Sequence, residues 1–427
     1  MNCTQTTVLT QLDNDRRWLH SHPEEGWTEF ETTHYIYQRL EALGYECTVG
    51  QALVHPDHVL GRDASKVDAA IERAQNRGVP ADFIAKLEGV TGVIAELRTG
   101  RPGPVTVCRF DIDCVCVEES QDTCHIPTKE GFASQNPGLM HACGHDSHTA
   151  VGLAVAAWLK AHQDTLHGTI RLIFQPAEEG TRGALAMTEA GWVDDANYFI
   201  ASHVGGLAKL GEVFIMTGGM LATSKIDIEF KGIASHAGAD PEKGRSALLA
   251  AAATALMANG ISRHSHGDSR VCVGTLYAGE GRNVTPVHAS LQVETRGTAM
   301  DVNDYLETSV RRIVHGIAET YGVESKVTLV GKAQTLPFCP HLVALAEQTA
   351  RSIPNIKKVA QDNRPTASED CTNFMRRVVD HGGECVQFLF GANHHGHHRP
   401  DFDLEPEAML YGYEMFTRMI LQLNTPH

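Results

Sequence analysis

The sequence predicts an α/β protein with a mostly parallel sheet flanked by helices, into which a ferredoxin-like α+β domain is inserted. In the first half of the chain, apolar strands alternate with helices, which is typical of parallel sheets. In the middle, the strands change to an alternating apolar and polar pattern, which indicates antiparallel pairing. The length of 427 residues and the 42% hydrophobic content allow two or three folded units.

The N-terminal part of the chain is mainly helical in pattern. Apolar periodicity predicts helices at about 7–20 and 30–43, separated by the sequence HSHPEEGW. Charged residues with helical spacing fill 51–89, which we interpret as a surface insertion. Two β-rich runs, GVIAELRT and VTVCRFDID, follow and are joined by a turn at 101–104.

Helices and strands then alternate. The segment HDSHTAVGLAVAAWLKAHQ predicts a helix, GTIRLIFQPA a buried strand, TRGALAMTEAG a second helix ending at Gly191, and ANYFIASHV another strand. The same domain resumes late in the chain with a helix at Pro340 and the strand ECVQFLF. This alternation favours a parallel sheet with helices on both faces.

The segment 221–333 has a different order of elements. The strands ATSKIDIEFKG, SRVCVGTLYAG, HASLQVETRG and ESKVTLVG alternate in polarity, and helices are predicted at 245–259 and in DVNDYLETSVRRIVHGIAETYG. A β-α-β-β-α-β order is that of a ferredoxin-like sandwich. We therefore predict a main domain in two parts, 1–220 and 334–427, around an inserted domain at 221–333.

Charge and composition exclude several classes of protein. The net charge is −16, so nucleic acid phosphates would repel the chain, and we expect no nucleic acid partner. No apolar run is long enough for a membrane span, and the N-terminal sequence soon becomes polar, so we expect a cytoplasmic protein. An odd number of Cys, 11, without paired spacing makes a disulfide framework improbable.

The strongest chemical signal is the sequence MHACGHDSHTA, at 140–150. Cys143 and His145 stand beside an apolar helix and can supply a thiolate and an imidazole to one metal ion or to two adjacent ions. The alternative is an ordinary helix N-terminus with Asp146 as its cap.

Three further signals follow predicted strands. Glu178 and Glu179 could divide the work of binding a metal and accepting a proton from metal-bound water, although glutamates at a helix start would explain them too. His203 ends an apolar strand, where alone it would be a core histidine, and the loop NHHGHHRPDF could be merely solvated. Because the carboxyl ends of parallel strands meet at one edge of a sheet, we predict that these positions converge.

The motifs resemble those of the amidohydrolase branch of the dinuclear-metal aminoacylase and carboxypeptidase family. The resemblance extends over nearly the whole chain, through RFDID, MHACGHDSHTA, FQPAEEG, SHV, SHAGADPE, GRNVTP and HRPDFD. Within this branch the chain is most similar to the larger subunits of aminobenzoyl-glutamate hydrolases, because of the insertion after residue 50, EEGTRGA, VETRG and SED at 368–370. DIDCVCVEE departs from the usual D-x-D-A-L-P, although Asp111 and Asp113 remain and can support metal ligands.

The resemblance implies a role for individual residues. It assigns two divalent ions, Mn²⁺ or Zn²⁺, to five ligands: Cys143, His145, Glu179, His203 and His398. Among the histidines at 394–398, His398 is preferred to His397 because it matches the H-x-P-x-F phrase of the branch. Glu178 is implied as the general base that activates the metal-bound water.

The inserted domain is implied to be a lid and dimerisation domain. His236 corresponds to a histidine that polarises the scissile carbonyl in the site of a partner subunit. Asn283 and Arg296 correspond to positions that bind the substrate and its carboxylate. A glutamate side chain needs a second cation, for which Arg182 and Lys225 are candidates, and each is equally explained as a solvated surface charge.

The implied reaction is hydrolysis of the amide bond of a small-molecule N-acyl amino acid, with p-aminobenzoyl-glutamate as the preferred substrate. A broader aminoacylase, a dipeptidase and a hydrolase of hippurate or auxin conjugates would use the same site. A metal-binding paralogue without activity is the non-enzymatic alternative. A homodimer, or a heterodimer with a homologous subunit, is expected, and no membrane partner.

Overall fold

The computed structural model describes residues 3–365 and 367–426. Helices α1 to α12 are, in chain order, Cys3–Ser21, Phe30–Ala42, Ala64–Asn76, Ala81–Leu87, Ile126–Glu130, His145–His162, Gly183–Glu189, Ala247–Asn259, Met300–Tyr321, Pro340–Ser352, Thr372–Asp380 and Glu407–Leu423. Strands β1 to β12 are Cys47–Thr48, Val93–Arg98, Val105–Asp111, Thr169–Gln175, Tyr198–Val204, Glu212–Met216, Ala222–Lys231, Ser269–Ala278, His288–Gly297, Glu324–Ala333, Lys358–Asp362 and Glu384–Phe390. Within these described ranges, no helix combines the length and apolarity that a bilayer crossing requires.

The chain divides into two compact units. The inserted unit comprises Gly219–Thr335 and the described residues of Pro365–Glu369. The main unit comprises the other described residues. The role of the inserted unit as a lid or dimerisation domain stays a prediction.

The main unit is built on a mixed, mostly parallel sheet with the strand order β1-β2-β4-β3-β5-β12-β6-β11. The neighbours β4, β3, β5 and β12 run parallel, so their carboxyl ends lie at the same edge. Strand β2 at one side and the pair β6–β11 at the other run antiparallel to these central strands, and β1 pairs antiparallel with β2. The predicted fold class is confirmed, whereas β1, β6, β11, α5, α11 and α12 were not among the predicted elements.

Helix α6 lies against the centre of this sheet. Its Gly152 rests on two buried rings, and a Cβ there would come within 2.7 Å of both Phe110 and Phe174. The Phe416 ring of α12 completes the cluster, with its centroid 4.8 Å from that of Phe110. This packing sets the start of α6 at the edge where β3, β4, β5 and β12 end.

The predicted insertion at 51–89 forms two short 3₁₀ turns followed by α3 and α4. Asp63 caps α3 by accepting a hydrogen bond from the Ser65 N–H at 2.9 Å. Arg73 then joins α3 to the N-terminal segment, because its guanidinium lies 2.7 Å from Glu24 and 3.1 Å from Glu31. The helical character expected of this segment is therefore observed.

The inserted unit has the strand order β10-β7-β9-β8, with every neighbouring pair antiparallel. Helices α8 and α9 cover one face of the sheet, where the core residues meet: Ile226, Ile228, Phe230, Ala250, Leu291, Val293, Val310 and Val314. This is the ferredoxin-like arrangement that the sequence predicts.

Candidate metal centre

The first pair of candidate residues is placed by a glycine at the start of α6. Gly144 adopts a φ of +86°, and a Cβ there would come within 2.4 Å of the Val204 side chain. Cys143 stands before this turn, and His145 is the first residue of the helix. Because Gly144 is the N-cap residue, the alternative in which Asp146 caps the helix is wrong.

The structure brings the five implied ligands together at the carboxyl edge of the central strands. The donor atoms of Cys143, His145 and His203 lie within 4.8 Å of one another, as do those of Cys143, Glu179 and His398. The Cys143 Sγ lies 3.5 Å from His203 Nε2, and His398 Nε2 lies 3.2 Å from Glu179 Oε1. Cys143 belongs to both groups, so these five side chains together would hold two adjacent cations.

The donor atoms are suited to a cation. Among the described residues, no hydrogen-bond partner is found for the buried His145 Nε2, an uncommon state for a buried polar atom, and Glu179 Oε1 has the His398 contact described above. Burial, together with the nearby Glu179, raises the pKa of the Cys143 thiol to about 12, so the thiol must release its proton when a cation binds. Burial also holds the pKa of His203 well below its usual range, so its imidazole is neutral, as a ligand must be.

Hydrogen bonds from the other ring nitrogen orient the histidine ligands. The His145 Nδ1 donates to the backbone oxygen of Asp113 at 2.9 Å, which leaves Nε2 for a metal. His203 Nδ1 donates to the Val204 carbonyl at 2.9 Å and so also presents its Nε2. Asp113 additionally accepts a hydrogen bond from the Glu179 N–H at 2.9 Å.

Glu178 lies on the loop 176–182 that follows β4. Two non-glycine residues of this loop, Ala177 and Thr181, have left-handed φ values of 53° and 59°. Such conformations cost about 1–3 kcal/mol each and cluster at functional sites. The buried Glu29 helps to hold the loop, because its Oε1 accepts the Ala177 N–H at 2.8 Å. The Glu178 Oε2 lies 4.0 Å from His145 Nε2, so the proposed base is adjacent to the candidate metal centre.

The histidine loop distinguishes His398 from His397. His398 has a φ of 60°, and its N–H donates to the Ala142 carbonyl at 2.8 Å, beside Cys143. His397 instead uses its Nε2 to accept the Gly206 N–H at 3.1 Å. Burial lowers the pKa of His397 to about 3. Of these two histidines, only His398 belongs to the candidate groups described above, where its Nε2 lies beside Glu179.

The other implied substrate residues lie in the inserted unit. A backbone bridge between His236 and Val284 places His236 beside Asn283. The His236 Nδ1 accepts the N–H groups of Gly238 and Ala239, both at 3.1 Å, which leaves the ring proton on Nε2. This exposed imidazole can therefore donate a hydrogen bond to a carbonyl oxygen.

Arg296 and Lys225 share the face of the inserted sheet that is opposite to α8 and α9, as the strand register shows. Arg296 is already engaged by Glu294, with contacts of 2.9 and 3.0 Å. The third cation, Arg182, lies in the main unit. It donates to the carbonyl oxygens of Glu179 at 2.8 Å and Gly61 at 3.2 Å, a structural use of its guanidinium.

His148 is a site residue that sequence reasoning missed. It stands three residues after His145 on α6, and this spacing on one helix face was the signal that could have found it. Its Nδ1 donates to Asp111 Oδ1 at 2.5 Å, and its Nε2 accepts the Val204 N–H at 2.8 Å. Both ring nitrogens are thus used to fix the neighbours of the candidate ligands.

A buried histidine of α1 supports the start of α6 and gives a test of stability against pH. The His20 Nδ1 lies 2.8 Å from Asp146, and its Nε2 lies 2.9 Å from Glu119. Burial alone would lower the pKa of His20, but these two carboxylates raise it to about 9.

Because the folded pKa of His20 is raised, its stabilisation is fully present below about pH 6.5 and is lost as the pH rises through about 9. The free energy of unfolding of the wild type, relative to His20→Gln, should therefore fall by up to about 3 kcal/mol between pH 6 and pH 10. Urea unfolding at several pH values measures this difference. A difference that is constant across the pH range would contradict the assignment.

Comparison with known proteins decides the family. Residues 107–422 match the peptidase family M20/M25/M40. The chain belongs to this family. One subunit of the p-aminobenzoyl-glutamate hydrolase of Escherichia coli (strain K12) is 42% identical over 425 residues, which cover 99% of this chain and 98% of that protein. The indole-3-acetyl-aspartic acid hydrolase of Enterobacter agglomerans is 43% identical over 423 residues, covering 98% and 97%.

A solved structure is similar over the same length. The aminobenzoyl-glutamate utilization protein from Klebsiella pneumoniae superposes with a TM-score of 0.84 at 36% identity, covering 98% of this chain and 96% of that one. These findings confirm the resemblance drawn from the motifs. The chain is a metal-dependent amidohydrolase that cleaves the amide bond of N-acyl amino acids.

Proposed function

We propose that the preferred substrate is an acyl group joined to an acidic amino acid, with p-aminobenzoyl-glutamate as the first candidate. The observation that supports the reaction is the convergence of Cys143, His145, Glu179, His203 and His398 beside Glu178. The two relatives described above are named for conjugates of glutamate and of aspartate, respectively. An acidic amino acid is the feature common to both names.

The five donors fit two divalent cations, and we propose Mn²⁺ or Zn²⁺. When bound, such ions lower the pKa of a water molecule and polarise a carbonyl oxygen. Thiolate and imidazole donors bind Zn²⁺ more tightly than Mn²⁺, so metal availability rather than affinity would favour manganese.

In the proposed reaction, the chain positions the substrate and moves one proton. Glu178 accepts the proton of the attacking water and delivers it to the nitrogen of the leaving amine. In the site of a partner subunit, His236 donates its Nε2 proton in a hydrogen bond to the oxygen that becomes negatively charged. Arg296 binds the α-carboxylate of the amino acid, for which it must exchange its contact with Glu294.

For the acidic side chain of the substrate, Lys225 is a better candidate than Arg182. The Arg182 guanidinium is engaged by two backbone carbonyls, whereas Lys225 lies on the same sheet face as Arg296. Lys225→Gln should lower kcat/KM for aminobenzoyl-glutamate by at least about tenfold, or ~1.4 kcal/mol, and spare aminobenzoyl-alanine. Lys231, which is on the same strand and faces the same side, gives the control Lys231→Gln.

The test of the proposed function is the release of the free amino acid from each conjugate by protein of measured metal content. Aminobenzoyl-glutamate, aminobenzoyl-alanine, indole-3-acetyl-aspartate and hippurate would be compared at equal concentration with one another and with dipeptides. We expect both acidic conjugates to exceed the alanine conjugate in kcat/KM. Equal rates on all four would instead favour a broad aminoacylase, and a preference for dipeptides would favour a dipeptidase.

We also propose that the chain is cytoplasmic and works as a homodimer or beside a homologous subunit. Association is supported by apolar side chains on α8, where Leu249, Leu256 and Met257 are 52%, 78% and 50% exposed. The relative from E. coli is named as one subunit of its enzyme. Light scattering on the purified chain, alone and after addition of a homologous subunit, would distinguish the two assemblies.

A further inference from the structure

The loop 176–182 is held at both of its ends by one buried carboxylate. Asp370 accepts hydrogen bonds from the side chain of Gln175, which precedes the loop, at 2.9 and 3.0 Å. Its Oδ2 also accepts the backbone N–H groups of Gly183 at 3.1 Å and Ala184 at 2.9 Å, which follow the loop. Asp370 is fully buried. A single side chain therefore fixes the spacing of the two ends of the loop that bears the base.

Arg109 joins this carboxylate to the metal centre. Its Nη2 lies 3.2 Å from Asp370 Oδ1, and its Nε donates to Gln175 Oε1 at 2.7 Å. Its Nη1 donates to Asp111 Oδ2 at 2.6 Å. That same Asp111 oxygen lies 3.7 Å from His145 Nε2, one of the donor atoms without a hydrogen-bond partner in the described structure. The contacts are therefore continuous from the loop to a candidate ligand.

The contacts continue to a third strand through His148. Asp111 Oδ1 accepts the His148 Nδ1 proton, and His148 Nε2 accepts the N–H of Val204, the residue after His203. We call Asp370, Gln175, Arg109, Asp111 and His148 the Asp370 network. It links the ends of β3, β4 and β5, and the last two of these strands lead to the donors Glu179 and His203.

The five members of the Asp370 network carry a net negative charge. They include two carboxylates and one guanidinium, with all three side chains 0% exposed. His148 is neutral in this arrangement, because one ring nitrogen donates and the other accepts. Buried charge is costly unless it is compensated, and a net negative charge beside His145 attracts a cation. A metal at the donor atoms would offset the excess charge.

We propose that Asp370 is a positioning residue for the metal centre. It holds the loop 176–182, and its negative charge balances the positive charge of Arg109, so that the Asp370 network keeps a net negative charge. This inference rests on the metal centre of the proposed function. The substitution Asp370→Asn keeps the size of the side chain but removes the charge. Its amide nitrogen would also face groups that donate hydrogen bonds, namely backbone N–H groups or the Arg109 guanidinium.

The experiment measures binding of Zn²⁺ and Mn²⁺ alone to the full chain, by competition with a chelator. For Asp370→Asn we expect the Kd of the metal to rise by about 10- to 100-fold. The control is Asp15→Asn, which also removes a fully buried carboxylate. Asp15 is in α1 and accepts a hydrogen bond from the hydroxyl of Tyr35, in α2, at 2.6 Å. The Kd of this control for metal should equal that of the wild type.

A second variant guards against misfolding. Gln175→Met has a similar size and no charge change, and it removes the amide that bridges Arg109 and Asp370. It should raise the Kd in the same direction by a smaller factor. If Asp370→Asn lowers the melting temperature as Asp15→Asn does and neither network variant changes the Kd, Asp370 is merely structural and the inference is overturned.

Failure of the proposed function is separable from this result. A wild-type chain that binds two ions but hydrolyses none of the conjugates would reject the substrate proposal, while a raised Kd in Asp370→Asn would still support the inference. A wild-type chain that binds no metal would overturn both.

Discussion

Replacement of Glu178 by alanine is expected to lower kcat by at least about two orders of magnitude and to leave the number of bound ions unchanged. The Glu178 Oε2 lies 4.0 Å from His145 Nε2, close enough to accept a proton from water at the centre. Glu178 is not one of the five implied ligands, so its removal takes away the proton acceptor but leaves those donors in place. Steady-state kinetics and metal analysis of the same sample measure both quantities.

Two variants serve as controls for this result. Glu72→Ala removes a surface carboxylate of α3, remote in sequence from every candidate ligand, and should leave kcat unchanged. Glu178→Asp retains the carboxylate but withdraws it by one methylene group, so its kcat should fall between those of the wild type and Glu178→Ala. Turnover close to normal in Glu178→Ala would exclude this residue as the base, and loss of metal would assign it to the ligands instead.

The convergence of the donor residues could be predicted from the sequence because of one property of parallel sheets. Strand β4 ends shortly before Glu178, β5 ends beside His203, and β12 ends shortly before the histidine loop. Each of these strands was apolar enough to be recognised in the sequence. Once the strands are parallel members of one sheet, their carboxyl ends must share an edge. The strand order was not needed for that conclusion.

The surroundings of the donors could not be predicted in the same way. Asp370 and Arg109 are 261 residues apart, and the sequence contains no periodic signal that pairs them. Strand β11, with the sequence KVAQD, is short and polar, so it lacks the apolar run by which strands are recognised. The polar contacts of buried side chains depend on tertiary packing, which periodicity does not encode.

Substitutions in the histidine loop are expected to show which imidazole binds metal. His398→Ala should lose about one of two bound ions and lower kcat by at least about two orders of magnitude, because a cation held by few protein donors loses one of them. His397→Ala should retain both ions. Its Nε2 accepts the Gly206 N–H, so its loss should affect the stability of the loop more than metal binding.

His395→Ala completes this comparison, because His395 is in the same loop with its side chain 72% exposed. It should match the wild type in metal content and in kcat. The left-handed φ of His398 and its contact with Glu179 Oε1 at 3.2 Å are the reasons to expect that order of effects. If His397→Ala loses an ion and His398→Ala does not, the ligand is His397, and the strained backbone at His398 then serves only to shape the loop.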